Sequence, residues 1–245
     1  MNYFQQLPYS VRLEWGQAAI RHLGQEVDCI VVIDIMSFST CVSMALERGG
    51  IIYPYSWRDD SAQRYGEERG ATVASSKRRF AQGWSLSPQS MLRVTEGLKL
   101  VLPSPNGSAC TFMARDLGKT VYCASLRNLS ATAAACRRYE RILIVPCGER
   151  WADDNSLRPS FEDYLAAGGL VSALGRADVS PEARAAALAY DGLSPTRSQA
   201  LATCGSAVEL TNRGFAGDVA LCIEENTSRL ACRLENDHFV AELHA

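Results

Sequence analysis

The residue that most invites chemistry is Asp34, which follows the apolar run CIVVI (29–33) and precedes Ser37-Phe38-Ser39-Thr40. A run this rich in β-branched residues reads as a strand buried on both faces. The hydroxyl-rich stretch after it reads as a helix start, with the helix closed by Gly49-Gly50. A carboxylate at that junction can hold Mg²⁺ or attack phosphorus, while the helix amino terminus offers free N–H groups to an anion. The plainer reading is a strand-end Asp with Ser37 or Ser39 as helix caps. Position at the carboxyl end of a strand favours a site.

Two further strand ends carry polar groups of the same kind. Ser104-Pro105-Asn106-Gly107-Ser108 follows LKLVLPS (98–104) and precedes a helix. There Asn106 can orient water or a phosphate oxygen and Gly107 admits close backbone approach, although a simple Asn-Gly turn explains both. Glu149-Arg150 follow RILIVPCG (141–148), and Glu162-Asp163 open the next helix. Acids in a first helical turn stabilise the dipole without any function. Alternatively, Asp34, Glu162 and Asp163 supply oxygen ligands to Mg²⁺, and Arg150 neutralises a second acidic group on the ligand. Lys77-Arg78-Arg79, with Trp84 and Ser87-Pro88 nearby, reads either as a solvated basic face or as a segment that grips anions.

Much familiar chemistry is missing. The chain has no G-x-x-x-x-G-K-[ST], G-x-G-x-x-G, H-E-x-x-H or G-x-S-x-G, which disfavours phosphate-loop NTPases, ordinary dinucleotide binders, zincins and α/β-hydrolases. No cysteine has an arginine six positions on, as a cysteine phosphatase requires, and Arg21-His22 lacks a histidine partner for phosphohistidine chemistry. The histidines His22, His238 and His244 are not spaced with a cysteine pair for zinc. Carboxylates, hydroxyls, amides and a metal remain.

The elements that would position these groups alternate. VRLEW (11–15) reads as a strand and 17–23 as a helix; IIYPYS (51–56) is a strand, Trp57-Arg58-Asp59-Asp60 a helix start, and Arg58 to Arg69 a polar helix. The stretch 77–90 reads as irregular. VYCAS (121–125), a helix from Asn128 to Tyr139, and the 141–148 strand complete another unit; 148–160 reads as a long polar loop and 161–175 as a helix. The rest is mainly helical through Leu210, with a strand or hairpin near 229–243. This alternation predicts an α/β fold, a three-layer α/β/α arrangement with a largely parallel or mixed sheet. Ligands would then sit outside strand carboxyl ends, at the loops after 36, 104 and 147.

Composition agrees with a folded, soluble chain. Of 245 residues, 47% are hydrophobic and 21% charged, with net charge −2, which excludes disordered, collagen-like and coiled-coil classes. That charge gives no reason to expect nucleic acid or an anionic membrane as partner, and no apolar run approaches the ~20 residues of a membrane span. The amino terminus lacks the basic and apolar regions of a secretory signal. Nine cysteines, an odd number without C-x-x-C, fit a reducing cytoplasm better than a disulfide framework.

Taken together and in order, these pieces resemble the 2-phosphosulfolactate phosphatase family of coenzyme M biosynthesis. The resemblance runs from about Asp28 to about Leu234. It rests on the V-V-I-D strand with its Ser/Thr-rich helix start, Leu86-Ser87-Pro88, Pro105-Asn106-Gly107, Gly148-Glu149-Arg150, and Glu162-Asp163 followed by Ala167-Gly168. It implies a three-layer α/β fold; the length itself suggests one domain over 1–245, or two packed subdomains meeting near 120–130. It also implies Mg²⁺ dependence and hydrolysis of a phosphate ester on a small sulfonated acid. On that reading Asp34, Glu162 and Asp163 hold the metal. Asn106 and the amides near Ser39 and Thr40 bind phosphate, with Ser37, Lys77, Ser104, Gly107 and Glu149 beside them, and Arg78 and Arg150 bind the sulfonate or carboxylate. Metal-activated water is the preferred nucleophile; direct attack by Asp34 is the second choice, since Met36 breaks the D-x-D of aspartyl-phosphate enzymes. Family members commonly carry arginine where this chain has Ser37 and an acid where it has Lys77. The alternatives are therefore a binder of an anionic metabolite without turnover, or an interaction protein using a helix face as a homodimer surface.

Overall fold

The computed structural model describes residues 3–56, 61–75 and 77–243. After β1 (Val11–Leu13) and α1 (Gly16–Leu23) comes β2 (Cys29–Ile33), buried throughout, as its unbroken apolar run requires. It is followed by α2 (Phe38–Leu46), β3 (Ile51–Tyr55), α3 (Ser61–Arg69) and the short β4 (Thr72–Val73). The expected helix start at Trp57-Arg58-Asp59-Asp60 lies outside the described residues. Next are α4 (Pro88–Met91), β5 (Lys99–Pro103), α5 (Gly107–Asp116), β6 (Thr120–Ala124), α6 (Leu129–Cys136) and β7 (Ile142–Pro146). Two short strands, β8 (Glu149–Arg150) and β9 (Leu157–Arg158), precede α7 (Phe161–Leu174). The chain closes with α8 (Pro181–Gly192), α9 (Arg197–Ala202), α10 (Gly205–Asn212), α11 (Ala216–Cys222), β10 (Leu230–Glu235) and β11 (His238–Leu243).

Among the described residues nine strands form one sheet, in the order β1-β7-β2-β6-β10-β11-β3-β5-β4. The strands β1, β7, β2 and β6 run parallel, and so do β3, β5 and β4. The β10–β11 hairpin stands between these blocks and pairs antiparallel with β6 on one side and β3 on the other. The two blocks therefore point in opposite senses, and the sheet is mixed. In a flat sheet the five steps from β2 to β5, at about 4.8 Å each, would separate them by about 24 Å, so this sheet curls as well as twists. The carboxyl end of β5 thus swings round to that of β2, and the Ser104 hydroxyl reaches the Asp34 carboxylate at 3.3 Å.

Alternate residues of β2 face opposite cores, as a strand covered on both sides must. Cys29, Val31 and Ile33 pack with α6, α7 and α8, whereas Ile30 and Val32 pack with α1, α2 and α5. The result is three layers. All nine cysteines are free and buried, small apolar residues of these cores. The 148–160 stretch, expected as a loop, instead contains the β8–β9 pair, with Glu149 opposite Arg158. Two-residue strands carry too few positions for any periodicity to show.

Close packing explains the small residue at Gly168. A Cβ there would stand 2.0 Å from the Ala186 carbonyl oxygen, so α7 and α8 touch only because the position is bare. Gly168→Ala is expected to cost about 1–3 kcal/mol through overpacking. Urea unfolding should show it as a lower midpoint at unchanged slope; an unshifted midpoint would refute the packing argument.

Candidate functional site

Asp34, one residue beyond β2, is 6% exposed on the wall of a cleft of about 620 Å³. Its Oδ2 accepts the Gly107 N–H at 2.9 Å and the Ser104 hydroxyl at 3.3 Å, and the Phe38 N–H donates to the same carboxylate. The carboxylate itself therefore occupies the anion position at the amino ends of both α2 and α5. Ser39 and Thr40 are committed within the same turn rather than offered to the cleft. The Ser39 N–H donates to the Asp34 carbonyl oxygen at 2.8 Å, Ser39 Oγ accepts the Asp34 N–H at 3.2 Å, and Thr40 Oγ1 donates to the Ile35 carbonyl oxygen at 2.8 Å. Beside Asp34, the parts of this turn that line the cleft are Met36, Ser37 and Phe38. Burial pushes Asp34 up to about 6, against the Gly107 and Ser104 hydrogen bonds, with Glu162 adding to the rise.

Three more carboxylates stand close by. Asp163 accepts the Ile35 N–H on Oδ1 at 2.9 Å, and on Oδ2 the Gly148 N–H at 3.0 Å and the Ser160 hydroxyl at 2.8 Å. Both its oxygens thus tie the turns after β2 and β7 to the start of α7. Burial, then Asp34 and Glu162, raise its pKa. Glu162 is 2% exposed and accepts the Cys204 thiol at 3.4 Å. Glu149 lines the cleft and accepts the Asn106 side-chain amide at 3.0 Å. Burial pushes Glu149 up to about 7, with Asp34 and Glu162 adding and Arg158 opposing.

This surplus of negative charge is what a hard divalent cation relieves. Among the described residues no three His, Cys, Asp or Glu side chains converge as a ready-made metal cluster. Mg²⁺ does not require one, since it takes one or two carboxylates, keeps several waters and shares substrate phosphate oxygens. The donors present fit that habit. A thiolate nucleophile does not fit, because burial pushes Cys204 and Cys222 up to about 12 and raises Cys41 and Cys147 as well.

Cations share the cleft with Asp34 and Glu149. Arg78, Arg150, Arg158 and Arg213 all line it, together with Trp151 and Asn155. Arg158 Nη2 donates to Ser206 Oγ at 3.3 Å, and its guanidinium lies 5.9 Å from the Trp151 ring centre. Arg150 Nη1 donates to the Asn155 carbonyl oxygen at 3.4 Å. Lys77, expected beside the anion, is exposed and absent from the cleft wall; its N–H donates to Ser75 Oγ at 3.1 Å.

The sequence pattern of the 2-phosphosulpholactate phosphatase family matches residues 18–237. This chain belongs to that family. A protein of Thermotoga petrophila named probable 2-phosphosulfolactate phosphatase is 28% identical over 222 residues, 87% of this chain and 93% of that protein. One of the same name from Thermus thermophilus is 28% identical over 206 residues, covering 80% and 84% respectively. Membership makes the chain a phosphoric monoester hydrolase of a small phosphorylated substrate. No helix among the described residues is long and apolar enough to cross a membrane.

In this family member, sequence reasoning found Asp34, Ser37, Arg78, Ser104, Asn106, Glu149 and Arg150 on the cleft wall. Gly107, Glu162 and Asp163 lie behind it. Arg158, Arg213 and Asp218 were missed. Arg158 sits in a stretch that reads as loop. Asp218 reads as an ordinary first-turn acid of α11 until its partner, Arg78, is seen 140 positions earlier at 3.0 Å.

Proposed function

We propose that this phosphatase hydrolyses 2-phosphosulfolactate to sulfolactate and phosphate with Mg²⁺, as a step of coenzyme M biosynthesis in the cytoplasm. The supporting observation is the lining of the cleft, which brings Asp34 and Glu149 together with four arginines. Such a wall suits a small ester bearing phosphate, carboxylate and sulfonate, where guanidinium groups read the planar or trigonal anions. The free, buried thiols accord with a reducing compartment.

Asp34 and Glu162 would hold Mg²⁺, which when bound supplies charge neutralisation at the phosphoryl oxygens. The Asn106 amide fixes the Glu149 carboxylate toward the cleft. Glu149, near neutrality by burial, takes a proton from water as that water adds to phosphorus. The ester P–O bond breaks, and the proton passes to the departing sulfolactate oxygen. Arg78, Arg150 and Arg158 hold the carboxylate and sulfonate, so the phosphoryl group is presented in one orientation.

The charge surplus also sets a pH dependence of stability. Asp34 and Glu149 have folded pKa values of about 6 and about 7, above their ordinary values of 3.8 and 4.5. Raised folded values mean that the native state binds more protons, so this stabilisation is full below the ordinary values and is lost as pH rises through the folded ones. Metal-free protein should therefore lose thermal stability between about pH 4 and pH 7 through these groups. Added Mg²⁺ should raise the melting temperature more at pH 7.5 than at pH 5.5; an equal shift at both would contradict the argument.

The activity is tested with a panel of phosphorylated hydroxy acids, with and without Mg²⁺. The expected result is Mg²⁺-dependent phosphate release, fastest from 2-phosphosulfolactate. Saturable binding of that ester with no release would instead identify an anion binder.

A further inference from the structure

We infer that Asp218 is a positioning residue for substrate recognition, acting through Arg78; this rests on the substrate reading above. Arg78 belongs to the stretch 77–87, which is irregular apart from an isolated bridge between Ser85 and Ser75. A flexible arginine there would lose conformational freedom on binding each anion it met. The fold removes that freedom beforehand. Asp218, from α11, is fully buried and accepts Arg78 Nη1 on Oδ2 at 3.0 Å. The same Nη1 donates to Ser37 Oγ at 2.8 Å, beside Asp34, and the guanidinium lies 5.7 Å from the centre of the Phe215 ring.

Asp218 is itself held from the far side. Its Oδ1 accepts the Ser87 hydroxyl at 2.7 Å and the Gln89 N–H at 3.1 Å. A buried carboxylate with two donors behind it and one guanidinium in front of it has a single direction in which to present its charge. The remaining donors of Arg78 are left for the cleft, whose wall it forms. Leu86-Ser87-Pro88 thereby acquires a physical role, since Ser87 anchors the acid that aims the arginine. The aimed arginine receives the non-phosphoryl anion, the sulfonate or carboxylate, with a guanidinium already fixed in place.

The test is a double-mutant cycle on the full chain, using Asp218→Asn, Arg78→Ala and the pair. Two readouts serve: steady-state kinetics with 2-phosphosulfolactate, and calorimetric binding of sulfolactate, which lacks the phosphate. Asp218→Asn should raise KM and weaken sulfolactate binding by about tenfold, with kcat changed far less. In the Arg78→Ala background the same substitution should add nothing further. If Asp218→Asn does not fold, Ser87→Ala retains the charge and should show the same split at smaller size. Wild-type protein that neither hydrolyses the ester nor binds sulfolactate would sink the substrate reading. Wild-type activity with unchanged KM in Asp218→Asn, or equal effects with and without Arg78, would sink the positioning role alone.

Discussion

Asp34→Asn should lower kcat by about 10³-fold or more, roughly 4 kcal/mol of transition-state stabilisation, while leaving the protein folded. The two halves of that expectation have one cause. The carboxylate lies where two helix amino ends and the Ser104 hydroxyl meet; burial, with Glu162 adding, raises its pKa, and it in turn raises that of Glu149. Its negative charge is disfavoured by burial and retained for chemistry. An asparagine oxygen can still accept the Gly107 N–H, so the turn survives. Metal-free Asp34→Asn should melt at or above the wild-type temperature at pH 7.5, where the like-charge repulsion is removed. Its Mg²⁺-induced shift should shrink or vanish. Retention of wild-type kcat would remove Asp34 from the reaction, whatever its surroundings.

Gly107→Ala tests the same locus through shape rather than charge. A Cβ at Gly107 would stand 2.2 Å from Phe38 Cδ1 and 2.8 Å from Asp34 Oδ2. Phe38 is fully buried and packs edge-on against Phe239 at 6.1 Å between ring centres, so it has no room to retreat. The strain should cost about 1–3 kcal/mol of stability. Moving the Asp34 carboxylate by an ångström should also lower kcat/KM by about 10²-fold. Gly192→Ala provides the control: nothing lies within 4 Å of its Cβ position and it ends a helix, so neutral or slightly improved stability is expected. Equal behaviour of the two variants, by chemical denaturation and steady-state assay, would refute the close-approach argument.

Much of the frame was legible from the chain itself. The unbroken apolar runs at Cys29–Ile33 and Ile142–Pro146 are buried at every residue, as such runs require. Helix α7 begins and ends close to its expected bounds because Glu162-Asp163 and Gly175 mark its termini. The strand ends bearing Asp34, Ser104 and Glu149 were recognisable because polar residues directly after apolar strands have few other reasons to recur. Local signals report local structure.

What residue order could not convey was direction and distance. Alternating strands and helices left a largely parallel and a mixed sheet both open, and the β10–β11 hairpin, which enters the middle and reverses one block, makes it mixed. A hairpin announces its own turn and not its neighbours, since edge pairing depends on surfaces assembled from the whole chain. The roles within the acidic group were likewise decided by packing. Glu162 and Asp163 are adjacent in sequence, yet Asp163 spends both oxygens on N–H and hydroxyl donors from three segments. Arg78 was visible as a basic residue, whereas its pairing with Asp218 exists only because α11 folds back against α4. Side-chain type and spacing follow from covalent order; which charges face one another follows from the burial of surfaces far apart along it, and that required the folded molecule.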